Sequence, residues 1–135
     1  MPTPLPAGLL ELLSGPSLCF LATLMPDGSP QLTQTWVSTD GRHIVINIVE
    51  GMQKSRNLAR DGRVALNVVD PQNPARYYAV RGRVVQSTTD GAKQGIDDIS
   101  HKYLGIPYPY FSGNPDETRV SVTVEADKIT PPPGE

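Results

Sequence analysis

Hydrophobic and polar positions alternate along most of this chain in short runs, separated by clusters of Gly, Pro, Asp and Ser. HIVINIVE (43–50) has the clearest alternation. Ile44, Ile46 and Ile48 fall on one side of an extended chain, with His43, Val45, Asn47 and Val49 on the other. LCFLATLM (18–25), QLTQTWVS (31–38), RVALNVVD (63–70), RYYAVRGRVVQST (76–88) and TRVSVTVEADKIT (118–130) read as further strands. PDGSP (26–30) and TDG (39–41) are turn sequences, and the first makes its flanking strands a hairpin. Three segments read as helices instead. AGLLELLSG has leucines at 9, 10 and 13 and stops at Gly15-Pro16. Gly51 to Asp61 is followed by Gly62 as a C-cap, and DGAKQGIDDISHKYLG (90–105) has Asp90 as N-cap and Gly105 as its stop. IPYPYFSGNPDE is a loop, and residues 130–135 form an extended tail.

Six strands arranged as hairpins, with short helices as connectors and no βαβ rhythm, predict a mainly β fold. The expected architecture is a small six-stranded antiparallel barrel rather than a sandwich. The length, 135 residues, suits one domain spanning 1–135 and is enough for a core without disulfides or metal. No internal repeat or linker divides it.

Charge and cysteine content narrow the function classes. A net charge of -2 gives no general attraction for nucleic acid or an anionic membrane, so neither is an expected partner and any anion binding must be local. No apolar run reaches the length of a membrane span. Cys19 is the one cysteine, which excludes an internal disulfide and fits a reducing compartment. With no signal-peptide pattern in MPTPLPAGLL, the expected location is cytoplasmic.

Against that acidic background, EGMQKSRNLARDGRVAL (50–66) concentrates Lys54, Arg56, Arg60 and Arg63 where a strand enters a helix. A helix start offers unpaired amides and the positive end of the macrodipole. Lys54, the Ser55 hydroxyl and Arg56 beside such amides would make a phosphate site. On spacing alone, one solvated helix face explains the same charges equally well. The strand 31–37 is also unusual. It carries Gln31, Thr33, Gln34, Thr35 and Trp36, and neither face is uniformly apolar, which suits an edge, an interface or a ligand-lining strand.

The stretch DGSPQLTQTWVSTDGRHIVINIVEGMQKSRNLARDGRVALNVVDPQNPARYYAVRGRVV resembles the flavin-binding split-barrel family that includes pyridoxamine 5'-phosphate oxidase. Within that family it is most similar to the branch, actinobacterial and archaeal, that uses the deazaflavin coenzyme F420. The likeness runs from about Leu9 to about Ile129 and rests on ordered features: DG-PQ in the first hairpin, K-RNL--D-RV after a strand, then VDP-NP-RY--VRGRV. It implies a split β-barrel and a basic stretch that binds the cofactor phosphate. By that resemblance Lys54 is the phosphate-binding lysine, and Arg56 and Asn57 match the K-x-R-N pattern of the deazaflavin branch. The ring would lie against Gln31 to Val37, where Gln31, Thr33, Gln34 and Thr35 can bond its pyrimidine side. Asn47 is a further candidate for the ring or its ribityl chain. Gln53 stands where pyridoxamine phosphate oxidases have an arginine, and the ending ITPPPGE lacks their substrate-reading arginine. Both departures argue against pyridoxamine phosphate as substrate.

The resemblance implies an oxidoreductase that uses F420, with FMN as the alternative, to reduce an unsaturated organic small molecule. A protein that binds flavin, deazaflavin or tetrapyrrole without turnover fits the same residues, because no acid, base or nucleophile stands out. Trp36 reads as core or as a cofactor lid, and Tyr108, Tyr110 and Phe111 sit in a loop that can close over a pocket. His43 and His101 lack companions at ligand spacing, so no metal site is expected. The family implies a homodimer with the cofactor at its interface, and the mixed faces of strands 31–37 and 43–50 agree with it.

Overall fold

The computed structural model describes residues 2–135. The elements in chain order are α1 (Ala7–Ser14), β1 (Leu18–Leu24), β2 (Pro30–Gln34), β3 (Ser38–Thr39), β4 (Ile44–Val49), α2 (Gln53–Arg60), β5 (Arg63–Val69), β6 (Tyr77–Thr88), α3 (Ala92–Leu104) and β7 (Arg119–Thr130). All strands belong to one antiparallel sheet, in the order β2-β1-β5-β6-β7-β4-β3. The sheet curls into a half-barrel around one core. Ile44, Ile46 and Ile48 are buried on its concave side, together with Leu21, Leu66, Val80, Val122 and Val124. The alternation in HIVINIVE is therefore set by burial on one face.

Among the described residues, seven strands replace the expected six. The predicted strand 31–38 is interrupted, because the chain crosses here from one sheet edge to the other. β2 pairs with β1 at one edge, and β3 pairs with β4 at the opposite edge. Thr35, Trp36 and Val37 make the crossing. Thr35 still donates its N–H to the Cys19 carbonyl at 3.0 Å. Val37 is fully buried and has no strand neighbour to complete its backbone bonds. α3 completes them instead: Val37 N–H donates to Tyr103 Oη at 3.2 Å, and its carbonyl accepts from Lys102 Nζ. The mixed character of this segment thus has a topological cause.

The long β6 and β7 curl through two register shifts, one of them at Arg81/Gly82. A Cβ at Gly82 would lie 2.2 Å from the Glu125 carbonyl oxygen, so only glycine permits this approach. α1 closes one barrel end with Leu9, Leu12 and Leu13, Leu12 taking the place expected of Leu10. Gly105 ends α3 in the left-handed region (φ 73), as its sequence predicts. Two expected caps differ. Gly91 occupies the start of α3, because Asp90 is held in a turn by its N–H bond to Thr88 Oγ1 at 3.0 Å. Asp61, not Gly62, ends α2. The tail is not extended throughout: it turns at Pro132–Glu135 and brings the Glu135 carboxylate to the Tyr78 hydroxyl. Among the described residues, no helix is long and apolar enough to cross a membrane.

Candidate functional site

A cavity of about 500 Å³ opens where the crossing segment, β4, the start of α2 and the 105–118 loop converge. One wall is aromatic. Trp36 stacks on Tyr103 with centroids 5.1 Å apart and planes 7° from parallel. Tyr108 and Phe111 meet the Trp36 ring edge-on at 6.2 and 6.0 Å. Ile48, Val49 and Met52 line the cavity from β4 and the turn into α2. Leu18, Met52 and Phe111, all lining residues, remain 44%, 51% and 70% exposed.

Two lining side chains are cations, and their surroundings differ. Arg119 is 7% exposed and fully engaged. Its Nε donates to Asn47 Oδ1 at 2.8 Å, Nη2 to the Asn47 carbonyl at 3.1 Å, and Nη1 to Glu117 Oε1 at 3.1 Å. Glu117 neutralises it in a buried pair. Lys54 is half-buried and, among the described residues, has neither a carboxylate nor a hydrogen-bond acceptor. Desolvation lowers its pKa first, and the nearby Arg119 guanidinium lowers it further. Met52, at the N-cap of α2, offers no side-chain bond to the first-turn amides. An unneutralised, half-buried cation beside a helix start without a side-chain cap is a place prepared for an anion. A flat ring with an attached phosphate matches both the aromatic wall and this charge.

Of the candidate site residues singled out in the sequence, Lys54, Gln34, Thr35, Trp36, Asn47, Tyr108 and Phe111 meet at this cavity. The others lie elsewhere. Ser55 and Arg56 face a second depression of about 660 Å³ on the other side of α2. Ser55 donates to the Val49 carbonyl, and Arg56 to the Gly51 carbonyl and, at 2.7 Å, to Gln53 Oε1. Asn57 is fully buried and ties α2 to the first hairpin. Its Nδ2 donates to Thr23 Oγ1 at 3.1 Å and to Gln31 Oε1 at 3.2 Å. Thr33 Oγ1 is buried without a partner among the described residues, and Tyr110 packs against Tyr108 with centroids 5.0 Å apart. Asn47 spends its amide on the Ala92 carbonyl at 2.8 Å, which docks α3 on β4.

Sequence reasoning missed Arg119, Tyr103 and Met52. An arginine opening the alternating run TRVSVTVEA was a usable signal, because it precedes a strand that the core claims. Tyr103 gave none. Cys19 lines the cavity but is 2% exposed, and burial pushes its thiol up to about 12 against the opposing pull of Lys54 and Lys102. It stays protonated and is no nucleophile. Among the described residues no cluster of three metal-ligating side chains occurs.

Known proteins share this fold. A solved structure named as an F420 reductase is 31% identical, with 93% of this chain and 98% of that one covered, at a TM-score of 0.78. A conserved hypothetical protein of Mycobacterium tuberculosis is 24% identical, over 95% and 84% of the two chains, at a TM-score of 0.69. A Listeria innocua protein provisionally assigned as a pyridoxamine 5'-phosphate oxidase shares the fold at 16% identity, over 90% and 93%, with a TM-score of 0.68. The family model described as pyridoxamine 5'-phosphate oxidase matches residues 5–130, from before α1 to the end of β7. This chain is a member of the pyridoxamine 5'-phosphate oxidase family of flavin-type oxidoreductases.

Proposed function

We propose that the protein is an F420-dependent reductase that transfers a hydride to an unsaturated, conjugated small molecule. The observation that carries this reading is Lys54, a half-buried cation with no neutralising partner among the described residues, in a cavity walled by aromatic rings. The likeness to the structure named as an F420 reductase supports the choice of cofactor. Charge supports it too. Arg119 is cancelled by Glu117, so the cavity offers one net positive charge. A phosphodiester, as in F420, carries one negative charge. The phosphomonoester of FMN carries close to two at neutral pH.

Lys54 would hold the phosphate, with the α2 amides beside it. Gln34 and Thr35 would offer polar groups to the ring edge, and Trp36 and Tyr108 would flank the flat system and exclude water. Reduced deazaflavin, when bound, supplies the hydride. The chain positions that chemistry and needs no strong acid or base of its own, in keeping with a cavity lined, among the described residues, by no His, Asp or Glu.

The partner in this reading is a second copy of the chain. The exposed Leu18, Met52 and Phe111 around the cavity leave apolar surface that a second subunit would cover. Sedimentation at micromolar concentration is expected to give twice the chain mass, and a monomer with full cofactor affinity would contradict the pairing. The reductase reading is tested by steady-state oxidation of reduced F420 in the presence of conjugated enones and quinones. Acceptor-dependent turnover supports it. Stoichiometric F420 binding without turnover for any acceptor would make the protein a carrier.

A further inference from the structure

We propose that Arg119 is a positioning residue that latches the aromatic 105–118 segment onto the cavity, so that the site selects flat conjugated ligands. The inference rests on the cofactor reading above for its ligand, and on geometry alone for the latch.

The segment carries two of the four aromatic rings that line the cavity, yet it has no regular secondary structure to hold it. Tyr110 even adopts a positive φ of 51°, a conformation that needs outside support. Arg119 provides it at two points. Its guanidinium lies over the Tyr108 ring, 4.9 Å from the centroid, and its Nη1 reaches the Tyr108 hydroxyl at 3.4 Å. The same Nη1 bonds Glu117 Oε1 at 3.1 Å, and Glu117 Oε2 accepts from Ser112 Oγ at 2.7 Å. One buried cation thus grips the segment at residues 108 and 117, and Glu117 in turn holds Ser112. A third tie comes from α3, where Asp97 Oδ1 accepts the Tyr108 N–H at 2.9 Å.

The other side of Arg119 is fixed to the sheet. Both of its bonds to Asn47 hold it against β4, and Asn47 is itself pinned to α3. The fork therefore joins a rigid strand to an irregular loop. Lysine cannot reproduce this: a single ammonium lacks the planar set of donors needed to reach Asn47, Glu117 and Tyr108 together. With the latch closed, Tyr108 and Phe111 stand edge-on to Trp36, which leaves a slot whose aromatic wall suits a planar ring better than a globular ligand.

Trp36 is the chain's one tryptophan, so its fluorescence reports the wall directly. Acrylamide quenching of the ligand-free protein is to be compared for wild type, Arg119→Lys and Tyr108→Leu. The second variant leaves the bonds among Arg119, Asn47 and Glu117 intact and guards against a folding failure of the first. Both variants are expected to expose Trp36 to quencher and to lose the near-ultraviolet circular dichroism of the aromatic cluster. F420 affinity should fall about tenfold, equivalent to 1.4 kcal/mol. Quenching identical to wild type in Tyr108→Leu, with F420 affinity unchanged, would overturn the latch. A wild-type protein that binds neither F420 nor FMN would overturn the cofactor reading instead, while a quenching difference would still stand.

Discussion

Replacing Lys54 by methionine should make the ligand-free protein more stable while weakening its hold on the cofactor. Lys54 is half-buried, lies within the field of Arg119 and has no acidic partner among the described residues. A charge in that position opposes folding. Discounted for the part that water still screens, the cost is on the order of 1 kcal/mol. Methionine keeps an apolar stem of similar length without the charge. In a chain of this size the gain corresponds to a rise in Tm of about 3 °C. The pH dependence has a definite sign. Because the folded pKa of Lys54 lies below its unfolded value, the unfolded chain binds more protons between the two. The penalty is complete below the folded pKa and fades as pH rises toward about 10.4, the unfolded value. Urea unfolding at neutral and alkaline pH should therefore show the advantage of Lys54→Met shrinking upward. In the same variant the cofactor loses a charge-assisted bond of about 1.5–3 kcal/mol, so affinity should fall about ten- to hundredfold. A Lys54→Met protein that is less stable than wild type and binds cofactor equally well would refute the reasoning, because Lys54 would then be a structural residue.

Three further outcomes follow from the packing. Gly82→Ala should cost about 2–3 kcal/mol in urea unfolding, since its Cβ would meet the Glu125 carbonyl at 2.2 Å, backbone against backbone; an unchanged midpoint would mean that β6 and β7 can part freely. Asn57→Ala should cost about 1–3 kcal/mol, because Thr23 and Gln31 lose their buried donor from α2, and hydrogen exchange should show α2 loosening first. Lys102, whose pKa burial lowers to about 8, binds a proton more readily in the unfolded chain. Wild-type stability should therefore climb between about pH 8 and 10.4 relative to Lys102→Met, and parallel pH profiles would contradict this.

What the sequence revealed depended on the range of the interaction. HIVINIVE was legible because burial of one face is written into every second residue. The break at Thr35–Val37 was not. Its backbone is completed by Lys102 and Tyr103, some 65 and 66 positions away, and no local pattern announces such help. Lys54 could be picked out as a cation at a strand-to-helix junction. Grouping it with Arg56 was less sound: residues two apart face different sides of a helix, and the structure puts them at different depressions. Asn57 matched the motif, yet the structure shows it bracing the hairpin. Arg119 escaped notice because its meaning comes from Asn47 and Tyr108, which only the fold brings together.

The central claim is that the cavity beside Lys54 takes the singly charged phosphodiester of a deazaflavin cofactor in preference to the phosphomonoester of FMN. The most direct measurement is titration of the purified protein with F420 and with FMN in separate experiments, read by quenching of Trp36. Saturable quenching at one F420 per chain is expected, with affinity for FMN weaker by about tenfold or more. FMN binding more tightly than F420, or the protein purifying with stoichiometric yellow flavin, would contradict it.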